Sequence, residues 1–125
     1  MGEVRALERD GDLDAVLSAE LVLIFKHSPI CALSWSARNE VDRFAELDSG
    51  VPIYWVDVIG HRDLSSAIAA KVGVTHQSPQ AILLRRGVAI WHASHRGVLA
   101  EAIAAAVSGS DRSVAQSKKG SGRGL

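Results

Sequence analysis

Cysteine is almost absent from this chain: among 125 residues there is one, Cys31. A single thiol cannot close an internal disulfide, which excludes a disulfide-stapled secreted scaffold, and that thiol is expected to stay reduced in a cytosolic pool. An excess of charge is missing too, since 14 Lys and Arg balance 14 Asp and Glu. The balance removes the electrostatic case for nucleic acid or a membrane surface as partner. No apolar run approaches the roughly 20 residues needed to span a bilayer. Met1 to Asp14 is charged throughout and carries no apolar segment of the signal-peptide kind. Together these absences point to the cytoplasm. What the chain does have is 47% apolar residues, enough for one packed core at a length that sets a single domain.

The apolar pattern alternates between two periods. Asp10 to Ala19 places Leu13, Val16 and Leu17 at helical spacing behind aspartates suited to capping. Leu21 to Phe25 is continuously apolar and reads as a buried parallel strand. Ala32 to Leu47 is amphipathic, with Ala37, Val41, Phe44 and Ala45 on one face, and Gly50 and Pro52 end it. Val51 to Ile59 predicts a second strand, and Asp63 to Val72 a helix stopped by Gly73. Ala81 to Leu84 and Val88 to Trp91, separated by Arg85-Arg86-Gly87, form a hairpin signature. A last helix is expected from about Gly97 to Val107. From Ser108 to Leu125 glycine, serine, lysine and arginine crowd together, so a domain over 1–107 and a disordered polar, basic tail over 108–125 are expected. With right-handed crossovers the first two strands run parallel and the hairpin antiparallel. The expectation is an α/β architecture, a four-stranded mixed sheet with helices on both faces, in the element order of the thioredoxin-like fold. The reactive site then belongs at the carboxyl end of the first strand, where Cys31 follows Phe25.

Cys31 stands at this strand-to-helix junction, in Phe25-Lys26-His27-Ser28-Pro29-Ile30-Cys31-Ala32-Leu33-Ser34. Unpaired N–H groups at a helix start favour a thiolate, and Lys26 and His27 are near enough in sequence to act as cations that do the same. The alternative is a buried structural cysteine. Thioredoxin-fold oxidoreductases carry Cys-x-x-Cys at such a junction, and the matching quartet here is Cys31-Ala32-Leu33-Ser34. Ser34 cannot attack a mixed disulfide held on Cys31, so release must come from a second thiol molecule. Ser78-Pro79 precedes the third strand, where those proteins place a cis proline beside the thiol; an ordinary trans proline opening a strand is the alternative. A cis bond would let Ser78 present its peptide groups to an incoming thiol substrate like an added strand. His92 and His95 make a His-x-x-His pair, but on a strand end this spacing splits the rings between faces and no third ligand matches. A polar role at the site rim, with Trp91 and Ser94, is preferred to a metal. Trp35, Trp55 and Trp91 are expected in core or rim packing, and Asp57 could pair with Arg62 to fix the loop after the second strand.

Phe25-Lys26-His27-Ser28 leading to Cys31 and Ser34, Asp57-Val58-Ile59-Gly60-His61-Arg62, Val74-Thr75-His76-Gln77-Ser78-Pro79-Gln80 and Trp91-His92-Ala93-Ser94-His95 together resemble the YtxJ family of monothiol bacilliredoxins, over about Leu21 to Val107. The resemblance implies a thioredoxin fold and removal of bacillithiol, a Cys-GlcN-malate thiol, from S-bacillithiolated cytosolic proteins. It implies Cys31 as nucleophile, Ser34 as the vestige of the resolving position and Pro79 as the cis proline. It implies no tightly bound cofactor, a small thiol as co-substrate, and thiolated client proteins as partners. The family usually has proline directly after the cysteine, where Ala32 stands here, while a proline precedes at Pro29. Two other readings are open. His27-Ser28-Pro29-Ile30-Cys31-Ala32-Leu33-Ser34 resembles the His-x-Pro-x-Cys-x-x-Ser pattern of arsenate reductases, without their long helical insertion and oxyanion-binding arginines. A non-catalytic redox sensor or binding module, including one that holds an iron–sulfur cluster between two subunits with external thiols, is the third.

Overall fold

In the computed structural model, which describes residues 3–119, the run Val22-Leu23-Ile24-Phe25-Lys26-His27 becomes the central strand, with all six residues buried. The elements in chain order are β1 (Val4–Ala6), α1 (Asp10–Leu17), β2 (Val22–His27), α2 (Ala32–Ala45), β3 (Ile53–Asp57), α3 (Arg62–Val72), β4 (Gln80–Arg85), β5 (Val88–Ser94), a short 3-10 turn (His95–Gly97) and α4 (Ala100–Lys119). The strands lie side by side as β1-β3-β2-β4-β5. β1 and β2 both run parallel to β3, whereas β4 pairs antiparallel with β2 and with β5.

A strand flanked on both sides and covered on both faces is buried at every position, which is why Val22 to Phe25 shows no polar alternation in sequence. Its side chains nevertheless alternate in space. Val22 and Ile24 enter one core with Leu13 of α1 and Leu64 and Ile68 of α3. Leu23 and Phe25 enter the other with Val41 and Phe44 of α2 and Ile103 of α4. The same alternation sends Lys26 toward the α1/α3 face and His27 toward the α2/α4 face. α3 ends as its sequence predicts, at Gly73 in the left-handed region (φ 71°) with its N–H on the Ala69 carbonyl at 3.0 Å.

Two expectations change. The sheet has five strands among the described residues, not four, because Val4–Ala6 adds at the edge beside β3, and Leu7 N–H continues the pairing to the Trp55 carbonyl at 2.8 Å. Three residues are too few to show a period, and an edge position leaves Arg5 in solvent, so the charged composition did not forbid a strand. The last helix, expected from about Gly97 to Val107, begins at Ala100 and continues through Lys119, and Ser110 is buried with its hydroxyl donating to the Val107 carbonyl at 2.6 Å. Gly109 costs a helix about 1 kcal/mol relative to Ala, and no proline follows to break it. Residues 120–125 of the tail expected from Ser108 lie outside the described residues.

Candidate active site

The chain leaves β2 at His27 and turns through four residues into α2, with Cys31 as the helix N-cap in extended conformation (φ −114°, ψ 123°). The Cys31 carbonyl accepts from the N–H groups of Ser34 (3.1 Å) and Trp35 (3.2 Å), and its own N–H donates to the Ser28 carbonyl at 3.1 Å. No side chain caps this helix start and no acidic residue sits in its first turn, so α2 does not neutralise its own positive end. The Cys31 side chain is partly exposed, which removes the buried structural alternative.

Beneath the thiol, Ser34 is fully buried, and its hydroxyl is held twice. Ser28 N–H donates to Ser34 Oγ at 2.9 Å, and His27 Nδ1 lies 2.7 Å from the same oxygen. Burial foremost, then the Arg38 guanidinium, hold His27 below its ordinary pKa. The ring is therefore neutral, and the Ser34 hydroxyl can donate to Nδ1 while accepting from Ser28. His27 is thus a hydrogen-bond partner of the loop rather than a cation at the thiol. Its ring is enclosed by Trp35 (centroids 4.5 Å apart, 88°) and Trp55 (5.6 Å, 71°) and stacks on Phe25 at 5.5 Å. Arg38 covers Trp55 at 5.5 Å. Trp35 Nε1 donates to the Pro29 carbonyl at 2.7 Å and so ties α2 back onto the loop before the cysteine. Ile30 (82% exposed) and Trp35 (48%) leave an apolar rim on either side of Cys31.

The β2–β4 register, with Lys26 opposite Gln80, brings the start of β4 beside the carboxyl end of β2. There the Ser78–Pro79 bond is cis. Gln80 is buried and braces the preceding loop, donating from Nε2 to the Thr75 carbonyl at 3.0 Å. The Pro79 carbonyl accepts from His95 N–H at 2.9 Å. Ser78 Oγ is buried without a hydrogen-bond partner among the described residues.

Lys26, fully buried, turns to the other side of the sheet, where its ammonium lies 3.1 Å from His76 Nδ1; Ser65 Oγ of α3 is also 3.1 Å from that nitrogen. Burial pushes the Lys26 pKa down to about 8. His76 lies below its ordinary value, first through burial and then through the Lys26 charge. Sequence gave no sign of the Lys26–His76 contact, since it joins residues brought together by sheet register rather than by spacing.

The remaining candidates separate. Trp91 is partly buried against the α2/α4 core, as expected of packing. His92 lies opposite Ile82 on the α1/α3 side, while His95 sits in the 3-10 turn with Nδ1 3.1 Å from Ser94 Oγ. Among the described residues no three His, Cys, Asp or Glu side chains gather as a metal site. Asp57, expected to pair with Arg62, instead closes its own turn: Oδ1 accepts from Ile59 and Gly60 N–H, both at 2.9 Å. A Cβ on residue 60 would lie 2.9 Å from Asp57 Oδ2, which is why glycine occupies that position.

A thioredoxin-type sheet with its cysteine at the N-cap of the helix after the central strand, and a cis proline opening the neighbouring strand, defines a thiol–disulfide oxidoreductase of the thioredoxin fold. Residues 5–103 match the monothiol bacilliredoxin family BrxC, and the chain belongs to that family. Among solved structures it is similar to a thioredoxin-fold protein described as a candidate oxidoreductase, with 30% identity and a TM-score of 0.77 over 83% of this chain and 93% of the other. It is similar in fold to oxidised thioredoxin from Plasmodium falciparum (16% identity, TM-score 0.66, 85% and 96% of the two chains) and to thioredoxin from Trypanosoma brucei brucei (18%, 0.67, 85% and 92%). The likeness to arsenate reductases is confined to His27 through Ser34, whereas the family match spans most of the chain.

Proposed function

We propose that Cys31 is the nucleophile of a monothiol exchange that removes a low-molecular-weight thiol, bacillithiol by family, from mixed disulfides on cytoplasmic proteins. The Cys31 thiolate attacks the small-thiol sulfur of the mixed disulfide. A new disulfide forms between Cys31 and the small thiol, the old bond breaks, and the electron pair leaves with the client's sulfur, which takes a proton. A second small-thiol molecule, as thiolate, then attacks the adduct, leaving a symmetric small-thiol disulfide and free Cys31. The sum converts one mixed disulfide and one thiol into one protein thiol and one disulfide, with no net change in oxidation.

The observation that carries the reading is the pairing of a partly exposed thiol at a helix N-cap with Ser34 three residues on, whose hydroxyl is buried in hydrogen bonds and offers no second sulfur. His27 supports the loop from the interior through Ser34, and Ser78 and Pro79 open the strand that lies beside it. The test is intact mass after exposure to bacillithiol disulfide and, separately, glutathione disulfide. One adduct on the native chain, none on Cys31→Ser, and reversal by the free thiol are expected; a thiol inert to both disulfides would sink the mechanism.

A further inference from the structure

β2 is apolar from Val22 to Phe25 and departs from that pattern at Lys26, whose side chain is fully buried on the α1/α3 side of the sheet. Lys26 has no ion pair among the described residues, and burial alone lowers its pKa. A buried ammonium without an acid destabilises a fold, and such groups concentrate at functional sites. The charges on the elements around it are committed or turned outward. Asp14 of α1 and Lys71 of α3 pair with each other at 2.7 Å. Asp10 and Asp12 of α1, Arg62 and Asp63 at the start of α3, and His92 of β5 are exposed. What the Lys26 ammonium meets is His76 Nδ1, 3.1 Å away.

His76 belongs to the loop that leads into β4, and three consecutive residues of that loop are each held by a buried polar side chain. Gln80 Nε2 donates to the Thr75 carbonyl at 3.0 Å, Lys26 donates to His76 Nδ1, and Gln77 N–H reaches Gln80 Oε1 at 3.4 Å. Lys26 and Gln80 are themselves register partners on β2 and β4. Beyond these anchors comes Ser78, whose peptide N–H, carbonyl and hydroxyl make no hydrogen bond with any described residue. The same register carries Ser78 toward Ser28, whose carbonyl accepts Cys31 N–H at 3.1 Å. An uncommitted peptide N–H and carbonyl next to the turn that bears the thiol are the groups with which an extended substrate backbone pairs.

We propose that Lys26 and His76 are positioning residues for the client: together they tie the loop before β4 to β2 and so hold the Ser78 peptide groups where the backbone of a thiolated protein pairs with them. The proposal rests on the monothiol exchange reading and adds to it a grip on the client that depends on a proton. An ammonium only donates, so His76 Nδ1 accepts and the ring is neutral, with its proton on Nε2. Ser65 Oγ of α3 shares that nitrogen at 3.1 Å. Once Nδ1 is protonated, the Ser65 hydroxyl can turn to accept from it, whereas the Lys26 ammonium has no lone pair to offer. His76 is exposed and titrates below its ordinary pKa, in a range where Lys26, at about 8, keeps its charge. Acid therefore releases the loop from β2 while its tie to α3 remains.

The test is the second-order rate of adduct formation on Cys31 of the full chain, followed by intact mass between about pH 5 and about pH 8. Two mixed disulfides are compared, each prepared with bacillithiol and with glutathione: one joined to the cysteine of a capped, uncharged peptide, the other to mercaptoethanol, which has no peptide backbone. Both present the same sulfur to attack, so the pH dependence of their rate ratio cancels the ionisation of Cys31 and of the small thiol. In the native chain the peptide is expected to react about tenfold faster at pH 7, and about threefold or less at pH 5. Lys26→Met should lower the ratio at pH 7 about threefold and remove its fall in acid, although the variant is expected to be more stable than the native chain. A merely structural lysine would move stability and docking in the same direction. His76→Gln keeps an acceptor that does not titrate, so the ratio at pH 7 should persist and the fall in acid should vanish. His76→Ala should lower the ratio at every pH, and because residue 76 is exposed these two variants decide the matter whatever Lys26→Met does to folding. A native ratio that does not fall in acid, a fall that survives His76→Gln, or a Lys26→Met ratio equal to the native one overturns the positioning role and leaves the exchange reading standing. Failure of Cys31 to react with all four disulfides overturns exchange and positioning together.

Discussion

Lys26 and His27 are adjacent on β2, both buried, and face opposite sides of the sheet, yet the surroundings they meet are built differently. His27 is closed in: a serine hydroxyl on Nδ1, three aromatic rings around it, and a neutral state favoured by burial and by Arg38. Lys26 is carried through an apolar layer to a histidine at the protein surface, and its pKa falls to about 8. The first arrangement spends a polar group on fixing the loop that presents Cys31. The second leaves an ionisable group with a titratable partner, so its state depends on pH. Rigid support of the thiol is therefore expected on the α2/α4 side, and pH sensitivity on the α1/α3 side.

The largest effect that would sharpen this contrast is His27→Ala. It removes a ring from between Phe25, Trp35 and Trp55 and leaves Ser34 without its partner, at an expected cost of about 3 kcal/mol in urea unfolding. A loss below about 1 kcal/mol would mean that the aromatic enclosure collapses freely and that the α2/α4 side is not rigid.

Ser34→Ala should cost about 1–3 kcal/mol, since Ser28 N–H and His27 Nδ1 both lose a partner. Exchange with a small disulfide should largely persist in that variant, whereas Cys31→Ser abolishes it. Equal loss of exchange in the two variants would sink the monothiol scheme, because Ser34 would then share the chemistry.

On the opposite side the expected sign reverses. Below pH 8 the folded state bears the burial of the Lys26 ammonium, while the unfolded chain holds that proton up to its ordinary pKa of 10.5. The unfolded state binds more protons between these values, so stability rises with pH across that window. Lys26→Met should raise Tm at pH 7 by roughly 2–8 °C, the equivalent of about 1 kcal/mol. The advantage should fade as pH climbs from 8 toward 10.5. A variant less stable than the native chain at pH 7 would break the contrast.

The smallest effect is at acid pH. His27 and His76 both lie below the ordinary 6.5, so the unfolded chain protonates first and stability falls as pH drops below about that value. His76→Gln should flatten this fall with a change at pH 7 under about 1 kcal/mol. A slope unchanged in His76→Gln would assign the acid dependence to His27 and reverse the expected location of pH sensitivity.

Much of this was legible in the sequence where information is local. The apolar run ending at Phe25, the amphipathic stretch after Cys31 and the Arg85-Arg86-Gly87 turn gave the order of elements, and Ser78-Pro79 marked the segment that faces the thiol. β1 was not legible, because three residues carry no period and gain their place only by pairing with β3. Nor was the end of α4, since Ser108 to Lys119 is polar enough to read as coil. Lys26 and His27 both read as cations near Cys31 from their sequence distance, but the pleat of β2 turns Lys26 to the other side of the sheet and burial holds His27 below its ordinary pKa.

By itself the sequence determined that there is one thiol, that it stands between a strand and a helix, and that no second sulfur lies within a helical turn of it. These are matters of covalent order and local periodicity. The tertiary structure decided which partners these polar groups have: His27 with Ser34, Lys26 with His76 fifty residues away, and Glu40 with the start of α4. The reason is physical. A side chain's period says which way it points from its own element, but what it meets there depends on which surfaces are buried against each other, and that is settled by the packing of the whole chain.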